Sequence, residues 1–266
     1  SLSNPDALGE GTDWQDEILR TAPMSNYQVN FSGGSEKTKY FVSGGYLTQE
    51  GIVLGSDLKR YSFRVNVESQ INKVLKVGAN ITPSYTFSNQ TLAEGNWQGG
   101  GIIQSALTAN PLLSPYNADG SYTKITGQGI GTSEVDNPVK IAREYFHTQG
   151  NMRLLGTAFA EVSIINDLMF KALVGADIRN FREQIFNPSV INPNSVNDTK
   201  LATANNNTLE SRNWLAEFTL NYNKKINKHS FDALLGYTIQ KENSENGKYT
   251  VVVRDFFSGN EFYYFV

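Results

Sequence analysis

The chain has 266 residues, and its 23 basic and 26 acidic side chains nearly cancel, which leaves no basic face for a nucleic-acid partner. Cysteine is absent, so disulfide staples and thiol chemistry are excluded, and no apolar run approaches the roughly 18 residues of a spanning helix. Mean hydropathy is -0.38, yet aromatic residues reach 12%, a bias that suits strands and interfacial girdles.

Residues 1–26 read as a connector rather than a strand. No signal peptide is visible at Ser1, so the chain is expected to begin after processing or to be a piece of something longer. Thr12 and Gln15 have capping-box spacing, and Trp14, Ile18 and Leu19 share a face over about two helical turns. Pro23 ends that short amphipathic helix.

From residue 27 to 266 the pattern is one of paired strands. Tyr27–Gly33 meets Lys39–Gln49 across Ser35 to Thr38, and Tyr61–Gln70 meets Leu75–Phe87 across Asn72-Lys73. Asn151–Ile164 meets Met169–Gln184 across Asn166-Asp167, and Leu209–Lys225 meets Ser230–Glu242 across Asn227 to His229. The alternation is clearest from Tyr61 to Phe87. There Tyr61, Phe63, Val65 and Val67 oppose Ser62, Arg64, Asn66 and Glu68, and Val77, Ala79, Ile81, Pro83, Tyr85 and Phe87 follow on the second arm. Asn151–Ile164 is less clear, with apolar residues on both faces. These arms exceed the roughly 5–6 residues usual in soluble proteins and reach the roughly 9–11 that a tilted strand needs to cross a bilayer.

Connections alternate as strictly as side chains do. Tight turns close each pair, whereas longer polar segments join one pair to the next: 50–60, 88–150, 185–208 and from 243 onward. Short periplasmic turns with long extracellular loops are the layout of outer-membrane barrels, and structureless loops of this length count against a compact soluble domain. The fold class is therefore all-β, an antiparallel up-and-down transmembrane β-barrel. About eight strands are visible. A lone eight-stranded barrel fills its lumen with its own side chains, which leaves the long loops nothing to serve. Eight strands left open would expose unpaired edges to lipid, so they are expected to be part of a larger barrel.

Tyr46, Tyr61, Phe87, Trp214 and Tyr237 fall near loop-side strand ends and Tyr40, Tyr222 and Phe231 near turn-side ends, as two aromatic girdles require. In the longest loop, Trp97, Tyr116 and Tyr122 lie among small polar residues. Their rings could stack on a sugar face while Asn110 and Asp119 bond its hydroxyls, and these five are the candidate ligand-binding residues. The same loop holds a short apolar helical stripe, Ile102, Ile103, Ala106 and Leu107, ended by Pro111. Arg64, Glu68, Lys171, Asp177, Arg179 and Glu217 fall on the polar, lumen side, and Arg64, Glu68, Asp177, Arg179 and Glu217 are the candidate lumen contacts.

No catalytic constellation emerges, and neither a cofactor nor a metal site is expected. His147 and His229 read as ordinary polar surface without a ligand spacing. Gly127 to Gly131 lacks the strand and helix that a dinucleotide loop needs. Asn117 to Gly120 lacks the ligand pattern of a calcium loop and reads as a hairpin turn.

The motifs carry a family likeness. Thr12 to Pro23, Val42 to Tyr46, Gln49 to Val53 and Lys59 to Arg64 resemble the first barrel segment of SusC/RagA-type TonB-dependent outer-membrane transporters. Ser105 to Pro111, Tyr116 and Asp119 to Tyr122 resemble that family's long extracellular loop, and Asn137 to Val139, Asn151 to Gly156 and Lys228 to Tyr237 also match. The resemblance implies a 22-stranded barrel enclosing a plug domain, a TonB complex acting through the plug, and a SusD-like lipoprotein lid. It implies import of oligosaccharides or peptides across the outer membrane of a Gram-negative cell. Residues 27–266 would be a barrel segment whose partners are the remaining strands, the plug and outer-membrane lipid, and residues 1–26 would lead from the plug. The alternative expectation is a non-transporting glycan-binding β-barrel or a soluble β-module that uses its loops to bind glycans.

Overall fold

In the computed structural model, the described residues are 10–92, 101–125, 136–188 and 201–254. They form one antiparallel sheet in chain order: β1 Met24–Gly34, β2 Thr38–Glu50, β3 Asp57–Gln70, β4 Leu75–Asn89, β5 Phe146–Ile165, β6 Leu168–Asn187, β7 Leu201–Ile226 and β8 His229–Lys241. A further strand, β9 (Ser244–Arg254), pairs with the loop-side half of β7, and two short helices, α1 (Ile102–Thr108) and α2 (Pro138–Glu144), lie in the long loop. No helix among the described residues is long and apolar enough to cross a membrane.

The turns are set by single polar side chains. Ser35 Oγ accepts from the backbone of Lys37 and Thr38, each at 3.2 Å, and Asn72 Oδ1 accepts from Val74 and Leu75 at 2.8 and 2.9 Å. Asn227 takes a φ of 54°, the left-handed conformation that asparagine tolerates in a tight turn.

Cross-strand register keeps one face apolar along the whole sheet. One row runs Phe31, Val42, Val65, Ile81, Gly156, Ala176, Trp214 and Lys241. On β1 this row lies two residues to the turn side of the apolar stripe's centre at Val29, whereas on β8 it lies six residues to the loop side of the centre at Leu235. The stripe thus slides by eight residues over seven strand steps. At about 3.4 Å per residue and about 4.8 Å between strands, that slide is a tilt of about 40°. It falls in the range of roughly 35–45° of membrane barrels. The stripe stays level with a membrane only because the strands are inclined to it.

That face carries no cover from the described residues: Phe31 is 65% exposed, Tyr27 64%, Leu235 71% and Tyr237 64%. A continuous apolar band of this extent marks a lipid contact. Near its loop-side margin Tyr27, Tyr46, Tyr61 and Tyr85 stand in one register row, with Tyr46 and Tyr61 rings 5.0 Å apart. Tyr46 and Tyr61 belong to the expected loop-side girdle, and Tyr27 and Tyr85 extend it.

Four expectations change. The connector makes overlapping turns rather than a two-turn helix, with Glu17 N bonded to Asp13 O at 3.2 Å, Leu19 N to Gln15 O at 2.9 Å and Asp13 Oδ1 accepting from Gln15 and Asp16; Leu19 then bridges Val53. The bridge to Val53 draws the chain out of the helical path at Leu19, before a second full turn can form. β7 begins at Leu201, well before residue 209, and 244–254 is a strand rather than a loop. Both stretches lie beyond the apolar stripe, where neither face needs alternation, so the period-2 signal fades while pairing continues. β8 and β9 also prove to be two halves of one strand line: Arg212 N donates to Asn243 O at 2.9 Å, and Asn213 Oδ1 accepts from Asn243 N at 3.3 Å where the line is interrupted. Lastly, β5 begins at Phe146, so His147 lies in a strand.

Candidate functional site

The buried core lies outside the sheet. Trp14, Ile18, Val53, Ile102, Ala106, Ala109, Ile125, Val139, Ile141 and Ala142 form one apolar cluster on the loop side. It draws the connector, the β2–β3 loop and the long loop into a single packed body. Trp14 Nε1 donates to Asn110 O at 3.0 Å and Thr12 N to Pro111 O at 2.7 Å, which ties connector to loop. Arg20 bonds Gly51 O and Ser56 O, each at 3.1 Å, and pairs with Glu50 at 3.0 Å.

Asn137 is the keystone and is fully buried. Its Oδ1 accepts from Val139 N at 3.0 Å and Lys140 N at 3.3 Å, capping α2, and Pro138 at the first helical turn has no N–H to satisfy. Its Nδ2 donates to Pro115 O at 2.8 Å and Thr123 O at 3.1 Å, so one side chain starts a helix and clamps the hairpin beside it. Asn137 carried a family match in the sequence but no role; its signal was the Asn-Pro pair before a helical stripe. On α1, Ile102 and Ala106 face the cluster while Ile103 and Leu107 stay exposed.

Of the candidate ligand residues, Trp97 lies outside the described residues. Tyr116 and Tyr122 are brought together across a two-residue bridge, their rings 5.5 Å apart, with Tyr122 Oη donating to Glu144 at 3.3 Å. Burial pushes the Tyr122 phenol above its ordinary pKa. Asp119 Oδ1 accepts from Ser121 N at 2.9 Å and from Ser121 Oγ at 2.6 Å, bonds that lower its pKa and fix the expected hairpin turn, with Gly120 at φ 84°. Asn110 Oδ1 accepts from Leu112 N at 2.9 Å. Asn110 and Asp119 thus shape their own loops, while Tyr116, 37% exposed, presents an open ring. Gly127 to Gly131 also falls outside the described residues.

Beneath this body the polar face carries three ionisable groupings. At the loop side, Glu183 Oε1 takes His147 Nε2 at 2.9 Å and Gln149 Nε2 at 2.8 Å, Glu183 Oε2 takes Asn207 Nδ2 at 2.7 Å, and Gln90 Nε2 reaches Gln149 Oε1 at 2.8 Å. His147, expected as ordinary surface, is instead half-buried in this network, edge-on to Tyr145 at 6.3 Å. Burial pushes the Tyr145 phenol up, aided by the Glu183 charge. Midway down, Arg153 forks onto Asp177, with Arg179 beside it. Toward the turns, Lys76 pairs with Glu68 at 3.0 Å and Lys171 with Glu161 at 3.0 Å, and both ammonium groups lie over the Phe159 ring, at 5.9 and 4.7 Å.

All five candidate lumen residues therefore sit on the polar face. Glu68 and Asp177 are ion-paired, whereas Arg64 and Glu217 have no ion-pair partner among the described residues. Sequence reasoning did not single out Arg153, Lys76, Glu161, Phe159 or Glu183. Their partners lie on other strands, and only register brings them together. Among the described residues no group of His, Asp and Glu is arranged to hold a metal ion.

No protein-family model matches the chain. TonB-dependent receptor P3 of Formosa agariphila is 36% identical over 237 residues, 88% of this chain and 23% of that protein. TonB-dependent receptor SusC of Bacteroides thetaiotaomicron is 33% identical over 129 residues, 47% of this chain and 13% of that protein. Among solved structures, the RagAB peptide importer in an open-open state superposes with a TM-score of 0.74 at 26% identity, covering 95% of this chain and 27% of that one. The chain spans about a quarter of the length of the curated relatives it matches over most of its own sequence.

Proposed function

The chain is a barrel segment of the SusC/RagA-type TonB-dependent outer-membrane receptors, and from that premise we propose that it serves in an importer of bulky nutrients, oligosaccharides or peptides. The observation that carries this reading is the vertical order of the polar face. A packed loop body stands over a polar-lined sheet whose other face is a bare apolar stripe. Such a wall can hold solute at the mouth and pass it inward without exposing it to lipid.

A SusD-like lipoprotein would close over the loop body, where Tyr116, Ile103 and Leu107 remain exposed. Arg64, Glu68, Asp177, Arg179 and Glu217 would face a plug across the lumen, and TonB would act on that plug. The solved structures similar to this chain include a peptide importer, which adds weight to peptides, whereas Tyr116 and Trp97 suit a sugar.

Deleting the gene in the source organism and measuring growth on defined peptide and glycan sources tests the reading. Loss of growth on one class, restored by the intact gene, is the expected result. Unchanged growth and unchanged uptake on every class would overturn it. Isolating the intact protein from outer membranes through an affinity tag should recover a surface lipoprotein in equal amount.

A further inference from the structure

The geometry points to a carboxylate-binding site on the lumen face, built on Arg179 with Arg153, that takes an acidic group of the imported solute; the inference rests on the importer reading above. Arg153 and Arg179 stand directly opposite one another on β5 and β6. Like charges so placed repel. Asp177 is bonded to only one of them: Arg153 Nε and Nη2 donate to Asp177 Oδ1 and Oδ2 at 2.8 and 2.7 Å, a two-point fork, while Arg179 stands nearby in its field without a bond to it.

Arg179 has no carboxylate within ion-pair distance among the described residues. It is nonetheless held. Its Nε donates to the neutral Asn151 Oδ1 at 2.9 Å, and its guanidinium carbon lies 5.6 Å from the centre of the Phe181 ring. Asn151 and Phe181 are themselves register partners, so one cross-strand pair holds the cation from two sides. Arginine has five N–H donors, and the four on the Nη atoms of Arg179 meet no acceptor among the described residues. A guanidinium tied at Nε and free at both Nη atoms offers the planar fork that a carboxylate fits.

The surroundings point the same way. The rung bearing this pair reads Ser62, Ser84, Arg153, Arg179 and Ser211, so hydroxyls flank the two cations. The rungs on either side add Arg60 and Arg64 to this face, with Asp177 as the single acid of the three rungs. Four arginines face one aspartate. The site also has the right depth. Arg179 directly follows Ile178, the loop-side end of the apolar stripe on β6, so it lies at the loop-side margin of the stripe, one grouping below the Glu183 network. A solute entering from the loops passes the Glu183 network and then reaches this belt, before the Lys76 and Lys171 ion pairs toward the turns. The solute class is an oligomer bearing carboxylates, supplied by a peptide's terminus or acidic side chains or by the uronates of a glycan.

The test uses the intact transporter in detergent, immobilised, with four probes: a casein digest, the same digest with its carboxyl groups amidated, oligogalacturonate, and its methyl ester. Retained solute is weighed by mass spectrometry. The acidic member of at least one pair should be retained about tenfold over its neutralised form, the difference a charge-assisted hydrogen bond makes. Arg179→Gln should bring that ratio to about one, and Arg179→Lys, which keeps the charge and loses the fork, should keep part of it. Equal retention of acidic and neutralised forms by the native protein, or a preference that survives Arg179→Gln, overturns the site and leaves the importer reading standing. So does a lower melting temperature in Arg179→Gln with the preference intact, because the carboxylate would then belong to another segment of the same transporter. If the native protein retains none of the four probes, the site is overturned, and the growth and uptake test above decides the importer reading separately.

Discussion

Gly78 on β4 and Phe159 on β5 are register partners, and the Phe159 ring lies over the Gly78 backbone so closely that a Cβ built there would overlap ring carbons. The missing side chain is the space in which the ring rests. Over the same ring stand the Lys76 and Lys171 ammonium groups, whose carboxylate partners are Glu68 and Glu161. One glycine thereby sets the lie of a ring and of the two ion pairs around it.

Replacing that glycine should unseat the ring. Gly78→Ala forces Phe159 off its rotamer and is expected to cost about 1–3 kcal/mol, as overpacking does. Heat-modifiability of the intact barrel on SDS gels should shift to lower temperature. In the double variant Gly78→Ala, Phe159→Leu the cost should shrink, because the clash is with the ring. Additive effects would show that the two residues are not coupled.

The loop body should come apart without the sheet. Asn137→Ala removes the cap of α2 and leaves Pro115 O and Thr123 O without their donor. A lost cap costs about 1 kcal/mol, and buried groups left unpaired add about 1–3 kcal/mol each. Limited proteolysis should then cut within 101–145 while far-ultraviolet circular dichroism of the strands is unchanged. Asn137→Asp keeps the cap but not the donors and should fall between. Equal protease resistance in all three proteins would remove Asn137 from its clamping role.

The two faces of the molecule predict opposite fates for two tryptophans. Trp214 lies on the apolar face and is 46% exposed, whereas Trp14 is 3% exposed inside the loop cluster. In intact transporter reconstituted into brominated lipid, with the other tryptophans changed to phenylalanine, fluorescence from Trp214 should be strongly quenched and that from Trp14 should not. Unquenched Trp214 would mean that the apolar stripe does not face lipid.

Alkaline pH should loosen the mouth before the barrel. Burial holds the phenols of Tyr145 and Tyr122 above the ordinary tyrosine value of about 10. Because the folded values are raised, the folded loop body keeps the proton longer than the unfolded chain. Its stability is full below pH about 10 and is lost as pH rises through the folded values. Absorbance at 295 nm should show tyrosines that titrate late, and Tyr145→Phe should remove one of them. A single titration at the ordinary value would contradict the burial.

The sequence by itself determined the sheet. Alternation from Tyr61 to Phe87, and again from Trp214 to Ile239, is a local property, because successive side chains on a strand must choose between lipid and lumen. The turns were legible for the same reason: Ser35, Asn72 and Asn227 act on the backbone beside them. Only the tertiary structure decided which polar residues meet. Arg153 finds Asp177 at a separation of 24 residues and His147 finds Glu183 at 36, distances fixed by register and by loop length rather than by any local pattern. The loop core is the extreme case. Trp14 and Ile141 share one cluster although no periodicity links them, because loops are free of the strand's two-residue repeat and pack according to the path of the chain. Strand chemistry is written residue by residue, whereas a site assembled between strands exists only once their relative heights are set.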